Sequence, residues 1–483
     1  MYEKAAASGL CQHGNFPGRC PSCQKETSLG RRELLDIVAS REQARTMAVL
    51  EKAVAEWQRL EQRDGAAAMD ASVGWYEVNN HRVNLYEAIG SNSEEWSHED
   101  RTGRDAEHLL AMKKLDIGLK QLAGSDHPDE SAQKLAEFVG FSLPAHNRET
   151  AIDSLSRLGP AGAAKLELIM TDNGAPERLR LRAAASGLRF GAGTADFSDK
   201  CAALLKETAP GLEGSDLYSA IELAGLVGGE AGRAALATIR EKVAGLPPEK
   251  RPWYDRDLIS TGLAIGAASK EDVARELNGR AWEAEGIIFG SLAEMPDFAD
   301  FIAKNRDKIK TLATALKRTN EAFGAEPVLF VDVIPDSMAA QANEGWTQNS
   351  IHLSRSLLEH PRISAKTSMQ SAIHEACERW ESKGLVDADM ERDYLQLMGD
   401  KYDGSQLDKF RLKHRYDIPN AGAGHPWDGT REYMAEAGSV LLAEPEVAKR
   451  WLGGSEGEEC AKALKNVRGK IQQHAGKTAE PSQ

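Results

Sequence analysis

The chain has 483 residues, a formal charge of −14, and 41% hydrophobic but only 6% aromatic residues. This length suggests roughly two to four domains, and few aromatics beside ample aliphatic residues favour helical, alanine-rich architecture. The acidic balance excludes general attraction to nucleic-acid backbones or anionic membranes. No run approaches the ~18 apolar residues of a membrane span, and the N-terminus lacks a signal-peptide core, so a cytoplasmic protein is expected.

The first element is a cysteine cluster. Cys11, Cys20 and Cys23 stand close together while Cys201, Cys377 and Cys460 are scattered, a metal-site distribution and not a disulfide framework. In "CQHGNFPGRCPSC" the ligands Cys11, His13, Cys20 and Cys23 flank a Pro-Gly turn and can close a tetrahedral shell. Too few apolar residues lie in 1–27 to make a core, so zinc would supply the folding energy. An unstructured tail with incidental cysteines, or a redox Cys-x-x-Cys pair, are the alternatives. The four ligands resemble short zinc-ribbon knuckles, which implies a structural zinc and an adaptor role.

From 28 to 125 the chain reads as helical. "GRRELLDIVASREQARTMAVLEKAVAEWQRLEQR" carries apolar residues at helical spacing without proline, and Ser93 is a candidate N-cap for a second helical region. Between 126 and 300 a loose repeat is anchored on Gly159, Gly191, Gly228 and Gly266. One position before each glycine stand Leu158, Phe190, Val227 and Ile265; seven before stand Ile152, Ala184, Ile221 and Ile259; eight before stand Ala151, Ala183, Ala220 and Leu258. Such a stripe ending in glycine predicts a helix with one buried face and a glycine stop. After the glycines, "PAGAAKLELIM" and "EAGRAALATIR" are near copies that open a second helix. Paired helices at this period resemble HEAT-like repeats, implying an α-solenoid whose concave face binds a protein or peptide. An irregular bundle with recurring glycine stops is the alternative.

The texture changes near 325. "EPVLFVDVIP" predicts a strand over 328–334, and "NSIHLSRSLL" a second short one. The following "SAKTSMQSAIHEACERWESKG" predicts a helix with Met369, Ala372, Ile373, Ala376, Cys377 and Trp380 on its apolar side. His374 and Glu378, four apart, share one face, with Glu375 offset by about 100°. Two ligands beside a carboxylate is a layout in which a general base can activate a metal-bound water. A His/Glu/Glu shell is harder than a histidine-rich one and would admit manganese or iron beside zinc. Cys377 is expected to pack as a small hydrophobe.

Strands followed by a His-Glu helix, then "GTREYMAEAGSVLLAEPE", resemble gluzincin metallopeptidases of the lethal-factor-like group over about residues 325–450. That resemblance implies His374, Glu378 and Glu432 as metal ligands, Glu375 as general base, and Glu436 as the second glutamate of the downstream helix. The His-Glu-x-x-Glu form also resembles a phage-associated group of metal-dependent peptidases, without the Ala-His pair expected downstream. Two departures stand out. Glu378 occupies the place of the usual second histidine, and His425 occupies the place of a tyrosine that hydrogen-bonds the reacting carbonyl. Histidine can donate to an oxyanion or serve as a ligand itself, and Tyr416 is a further donor.

The organisation expected is therefore mainly α with an α+β C-terminal domain. It comprises a zinc knuckle (1–27), a helical region (28–125), HEAT-like repeats (126–300), a zincin-like domain (301–470) and an unstructured tail (471–483). The expected function is a zinc-dependent peptidase with a helical-repeat arm for its protein substrate or partner. A non-catalytic interaction scaffold that keeps the zincin shape is the alternative.

Overall fold

A computed structural model describes residues 43–65, 99–140, 143–191, 195–248, 250–323, 327–335, 341–342 and 350–359, together with shorter stretches and single positions from 369 to 472. These residues are mainly helical with one small mixed sheet. No described helix is long and apolar enough to cross a membrane. They divide into two compact units, one ending at Ala161 but including 387 and 388, the other beginning at Gly162.

The first unit holds α1 (Gln43–Asp64), α2 (Glu99–Leu122), α3 (Pro128–Gly140) and α4 (Ala145–Ser156). The long helix expected over about 28–63 is described from Gln43 on. Ser93 and residues 28–42 lie outside the described residues. α1 packs on α2, and Leu50, Trp57 and Leu60 of α1 and Leu115 and Leu119 of α2 are all buried. Gly118 permits the closest approach, since a Cβ there would meet Leu50 Cδ2 at 2.6 Å. Pro128 opens α3, with Asp129 and Glu130 in its first turn opposite the positive end of the helix dipole.

The division falls within α5 (Gly159–Thr171), and the second unit continues with helices in succession: α6 (Glu177–Arg189), α7 (Ala195–Thr208), α8 (Ser215–Val227), α9 (Gly229–Ala244), α10 (Arg251–Ala264) and α11 (Lys270–Glu276). The anchor glycines 159, 191, 228 and 266 all take left-handed backbone, with φ of 58°, 67°, 60° and 67°. A β-carbon disfavours that conformation; Gly191, Gly228 and Gly266 stand at the ends of α6, α8 and α10, while Gly159 opens α5 after the end of α4. At Gly266 the stop is a Schellman motif: Ala267 N–H donates to the Gly262 carbonyl at 2.8 Å. All eight residues seven and eight positions before the glycines are buried, while Phe190, Val227 and Ile265 immediately before them are half-buried. α6 packs on α8, α8 on α10, and α7 on α9. Between α6 and α8 the Arg189 guanidinium donates to the Glu222 carboxylate, both side chains buried.

A sheet follows, built from β1 (Ala281–Ala284), β2 (Ile287–Gly290), β3 (Phe330–Ile334), β4 (Gln341–Ala342) and β5 (Ser350–Ser354), in the order β1-β2-β3-β5-β4. β3 and β5 fall where the sequence predicts strands. The β1–β2 hairpin lies inside the span read as helical repeats, and β4 was not predicted. The hairpin turns on Glu285 and Gly286, both at positive φ (52° and 87°), the backbone of a two-residue type I′ turn. β2, β3 and β5 run parallel, and β4 pairs antiparallel with β5. Parallel strands need a crossover, and α12 (Phe298–Phe323) supplies it between β2 and β3.

Alternation along the strands sends their residues to two cores. Val331, Val333, Ile351 and Leu353 join Phe301, Ile309, Leu312 and Leu316 of α12 on one face. Phe330 and Ile288 meet Ile259 of α10, Val273 of α11 and Leu277 on the other. α13 (Arg355–Glu359) follows β5 directly, and α14 (Pro445–Leu452) lies near the C-terminal end of the described chain.

Candidate metal centre

The predicted site is approached through its described neighbours. Positions 369, 372, 373, 376 and 377 are helical, as the apolar spacing predicts. Ala372 and Ala376 join the α12-side core of the sheet, and Ile373 and Cys377 are also buried. Downstream, 437–442 are helical, with Ala437, Ser439 and Val440 buried. The two stretches touch. A Cβ on Gly438 would lie 2.7 Å from Cys377 Sγ and 3.2 Å from its Cβ. The segment carrying "HEACE" and the segment following "REYMAE" are thus neighbours in space.

His374, Glu375, Glu378, His425 and Glu432 themselves lie outside the described residues, as do Cys11, His13, Cys20 and Cys23 of the N-terminal cluster. Among the described residues no group of three or more His, Cys, Asp or Glu side chains could hold a metal ion. Cys377 packs against glycine, in keeping with a structural thiol. Burial pushes the Cys201 thiol up to about 12, and its sulfur packs 3.6 Å from Met170 Sδ, the setting of a structural thiol.

A polar cluster that the sequence did not reveal lies on the opposite face of the sheet. Phe330 and Asp332 of β3 point the same way, and their register partners Ser350 and His352 on β5 share that face. Against them α10 sets Arg256 and Asp257, both almost wholly buried. Ser350 Oγ donates to Asp257 Oδ1 at 2.7 Å, His352 Nδ1 lies 3.2 Å from Asp332 Oδ2, and Leu292 N–H donates to Asp332 Oδ1 at 3.1 Å. Burial lowers the Arg256 pKa, while the nearby Asp257 and Asp332 carboxylates oppose that shift. Burial also lowers the His352 pKa; the bond to Asp332 acts against it and Arg256 adds to it. The signal available in the sequence was the alternation in "FVDVI" and "SIHLS", which puts Asp332 and His352 on one face. Nothing local told that this face is covered by a helix bringing its own charges.

In the first unit a cavity of about 400 Å³ lies at the C-terminal end of α2, lined by Thr46, Lys120, Asp126, Arg157 and Asp387 among others. Lys120 donates to Asp116 at 2.7 Å, and Thr150 Oγ1 donates to the same carboxylate at 2.6 Å. Burial lowers the Arg157 pKa against the opposing pull of Asp387, Asp153 and Asp116. Acids and bases interleave around this cavity, so its charge selects neither anions nor cations.

No protein-family model, no curated protein and no solved structure matches this chain.

Proposed function

We propose that the chain is a metal-dependent peptidase of gluzincin type, carrying a helical-repeat arm for a protein substrate or partner. The observation that carries this reading is the Cys377–Gly438 contact. Cys377 lies three residues after His374 and one before Glu378, and Gly438 lies six after Glu432. The described residues nearest in sequence to two of the proposed ligand stretches, 377 and 438, therefore touch, which supports the reading. The sheet adds support: β3, β4 and β5 precede the His374 helix, whose Ala372 and Ala376 lie on the same sheet face as α12. β4 is the edge strand of the described sheet and antiparallel to β5, an arrangement able to pair with an extended peptide.

In this reading His374, Glu378 and Glu432 hold the metal, zinc or a harder divalent ion such as manganese. When bound, the ion supplies Lewis acidity and makes a water acidic enough to lose its proton near neutral pH. Glu375 would act as general base toward a water and then as acid toward the leaving amine. His425 donates a hydrogen bond to the oxygen on which negative charge gathers. The paired helices α6–α11 would present the partner surface of a solenoid, and Cys11, His13, Cys20 and Cys23 would hold a separate structural zinc. Glu378, standing where histidine is usual, favours a second reading: a scaffold that keeps the metal but does not turn over.

The test measures metal content and peptide hydrolysis in the full chain and its variants. His374→Ala, Glu378→Ala and Glu432→Ala should each lose the same metal equivalent. Glu375→Gln should keep it while hydrolysis of a peptide library falls by roughly 100-fold or more. A metal equivalent without hydrolysis supports the scaffold. Absence of a second metal equivalent in the wild type overturns both readings.

A further inference from the structure

The cavity at the C-terminal end of α2 takes no part in the proposed chemistry, and its described lining residues all belong to the first unit. At about 400 Å³ it falls within the ~300–1,000 Å³ of small-molecule sites. Its lining groups carry both signs. The cation is Arg157, which follows the last turn of α4 and donates its backbone N–H to the Ser154 carbonyl at 3.2 Å. Lys120 adds little net charge, because its ammonium donates to Asp116 at 2.7 Å. The anions are Asp126, which is exposed, and Asp387, which is half-buried. The end of α2 adds partial negative charge from its aligned peptide dipoles. Thr46 of α1 is 4% exposed and also lines the space, and among the described residues its hydroxyl makes no hydrogen bond.

We propose that this cavity binds a small zwitterion of amino-acid or dipeptide size, its carboxylate on Arg157 and its ammonium on Asp387 and Asp126 beside the end of α2. The inference is independent of the metal-site reading. A guest with a single charge would pair with one sign and bring the other, partly stripped of water, against a like charge. A guest carrying both charges answers both. Guanidinium meets a carboxylate through two parallel N–H donors, and an ammonium has three donors to share between carboxylates and helix carbonyls. Arg157 already lies in the field of acids: Asp387, Asp153 and Asp116 oppose the burial that lowers its pKa. It therefore stays charged and ready for a carboxylate. The Thr46 hydroxyl supplies a neutral hydrogen bond that orients the guest without changing the charge balance.

The experiment titrates the full chain calorimetrically with alanine, glutamine, γ-aminobutyrate and dialanine, which place their two charges at different separations. Acetate and propylamine are the singly charged controls. At least one zwitterion should bind with Kd of about 1 mM or tighter, and both controls should bind about 10-fold more weakly or worse. Arg157→Gln should weaken the zwitterion about 10-fold or more, the usual loss for a bond to a charged group, and Thr46→Val by several-fold. Asp126→Asn with Asp387→Asn gives the sharper readout: the zwitterion weakens while acetate binds more tightly than to wild type, a reversal that a merely structural role would not produce. If Arg157→Gln does not fold, this double variant decides, since neither aspartate is buried. No binding of any zwitterion at about 10 mM, or controls that bind as well as the zwitterions, overturns the proposal. So does a folded double variant in which neither affinity moves, which would place any bound zwitterion elsewhere on the chain.

Discussion

Gly232, in the first turns of α9, decides whether the tight junction between α8 and α9 is as described. An added Cβ would lie 2.4 Å from the Ala224 carbonyl oxygen, 3.5 Å from its carbonyl carbon and 3.6 Å from Ile265 Cδ1. That oxygen also accepts the Gly228 N–H at 3.0 Å, the bond that closes α8, so it cannot turn away freely. Reaching ordinary contact at 3.4 Å requires the two helices to part by about 1 Å. Overpacking of this kind costs about 1–3 kcal/mol, against a gain of about 1 kcal/mol for alanine over glycine in a helix. Because the partner is backbone and cannot swing aside, the steric cost falls in the upper part of that range, about 2–3 kcal/mol, and wins. Gly232→Ala should therefore destabilise by about 1–2 kcal/mol, a fall of roughly 2–6 °C in Tm for a unit of this size. Gly140→Ala is the control, since a Cβ there meets nothing within 4 Å. Thermal and urea unfolding followed by circular dichroism reads both. If Gly232→Ala melts at or above wild type while Gly140→Ala is neutral, the α8–α9 junction is looser than described.

Three further outcomes are expected. Ile221→Asp places a carboxylate where the side chain is 1% exposed, and should cost about 4 kcal/mol or more by lost burial and desolvation; unchanged urea melting would mean that the stripe does not face a core. His352, with its pKa held below the ordinary 6.5, binds a proton less readily folded than unfolded, so its contribution to stability shrinks as pH falls through 6.5 towards the folded value. Asp255, raised to about 6 by burial, acts in the opposite sense at lower pH, so the readout is the difference between wild type and His352→Gln across pH 7.5 to 5. An unchanged pH slope in the variant would show that His352 titrates normally. Finally, Cys20→Ser with Cys23→Ser should remove one zinc per chain by elemental analysis; full retention would refute the thiolate site.

The helices of the second unit were legible because their signals are local. Each left-handed glycine and the apolar pair seven and eight residues before it fall within two turns of one another, close enough for spacing to reveal them. β3 and β5 were legible for the same reason. The β1–β2 hairpin was not, because its turn is Glu-Gly and lacks the Asn-Gly or Asp-Gly cue, while β1 pairs only one edge of a four-residue β2. Arg256 and Asp257 read as an ordinary charged helix face in "YDRDLIS"; only the sheet beneath α10 makes them interior. At the candidate site the apolar face of the His374 helix was readable. Its approach to Gly438, some sixty residues later, depends on packing that no local spacing encodes.

The charges beneath α10 also bear on how the chain comes apart. A helix with a packing partner on one side only usually opens before the rest of its unit. α10 escapes that fate. Releasing it would strand Arg256 and Asp257 from the sheet, part Ser350 from its carboxylate partner and bare Phe330 and Ile288 to water. The other helices of the second unit should accordingly lose their protection against amide exchange first, with α10 exchanging in step with β3 and β5 as one cooperative block.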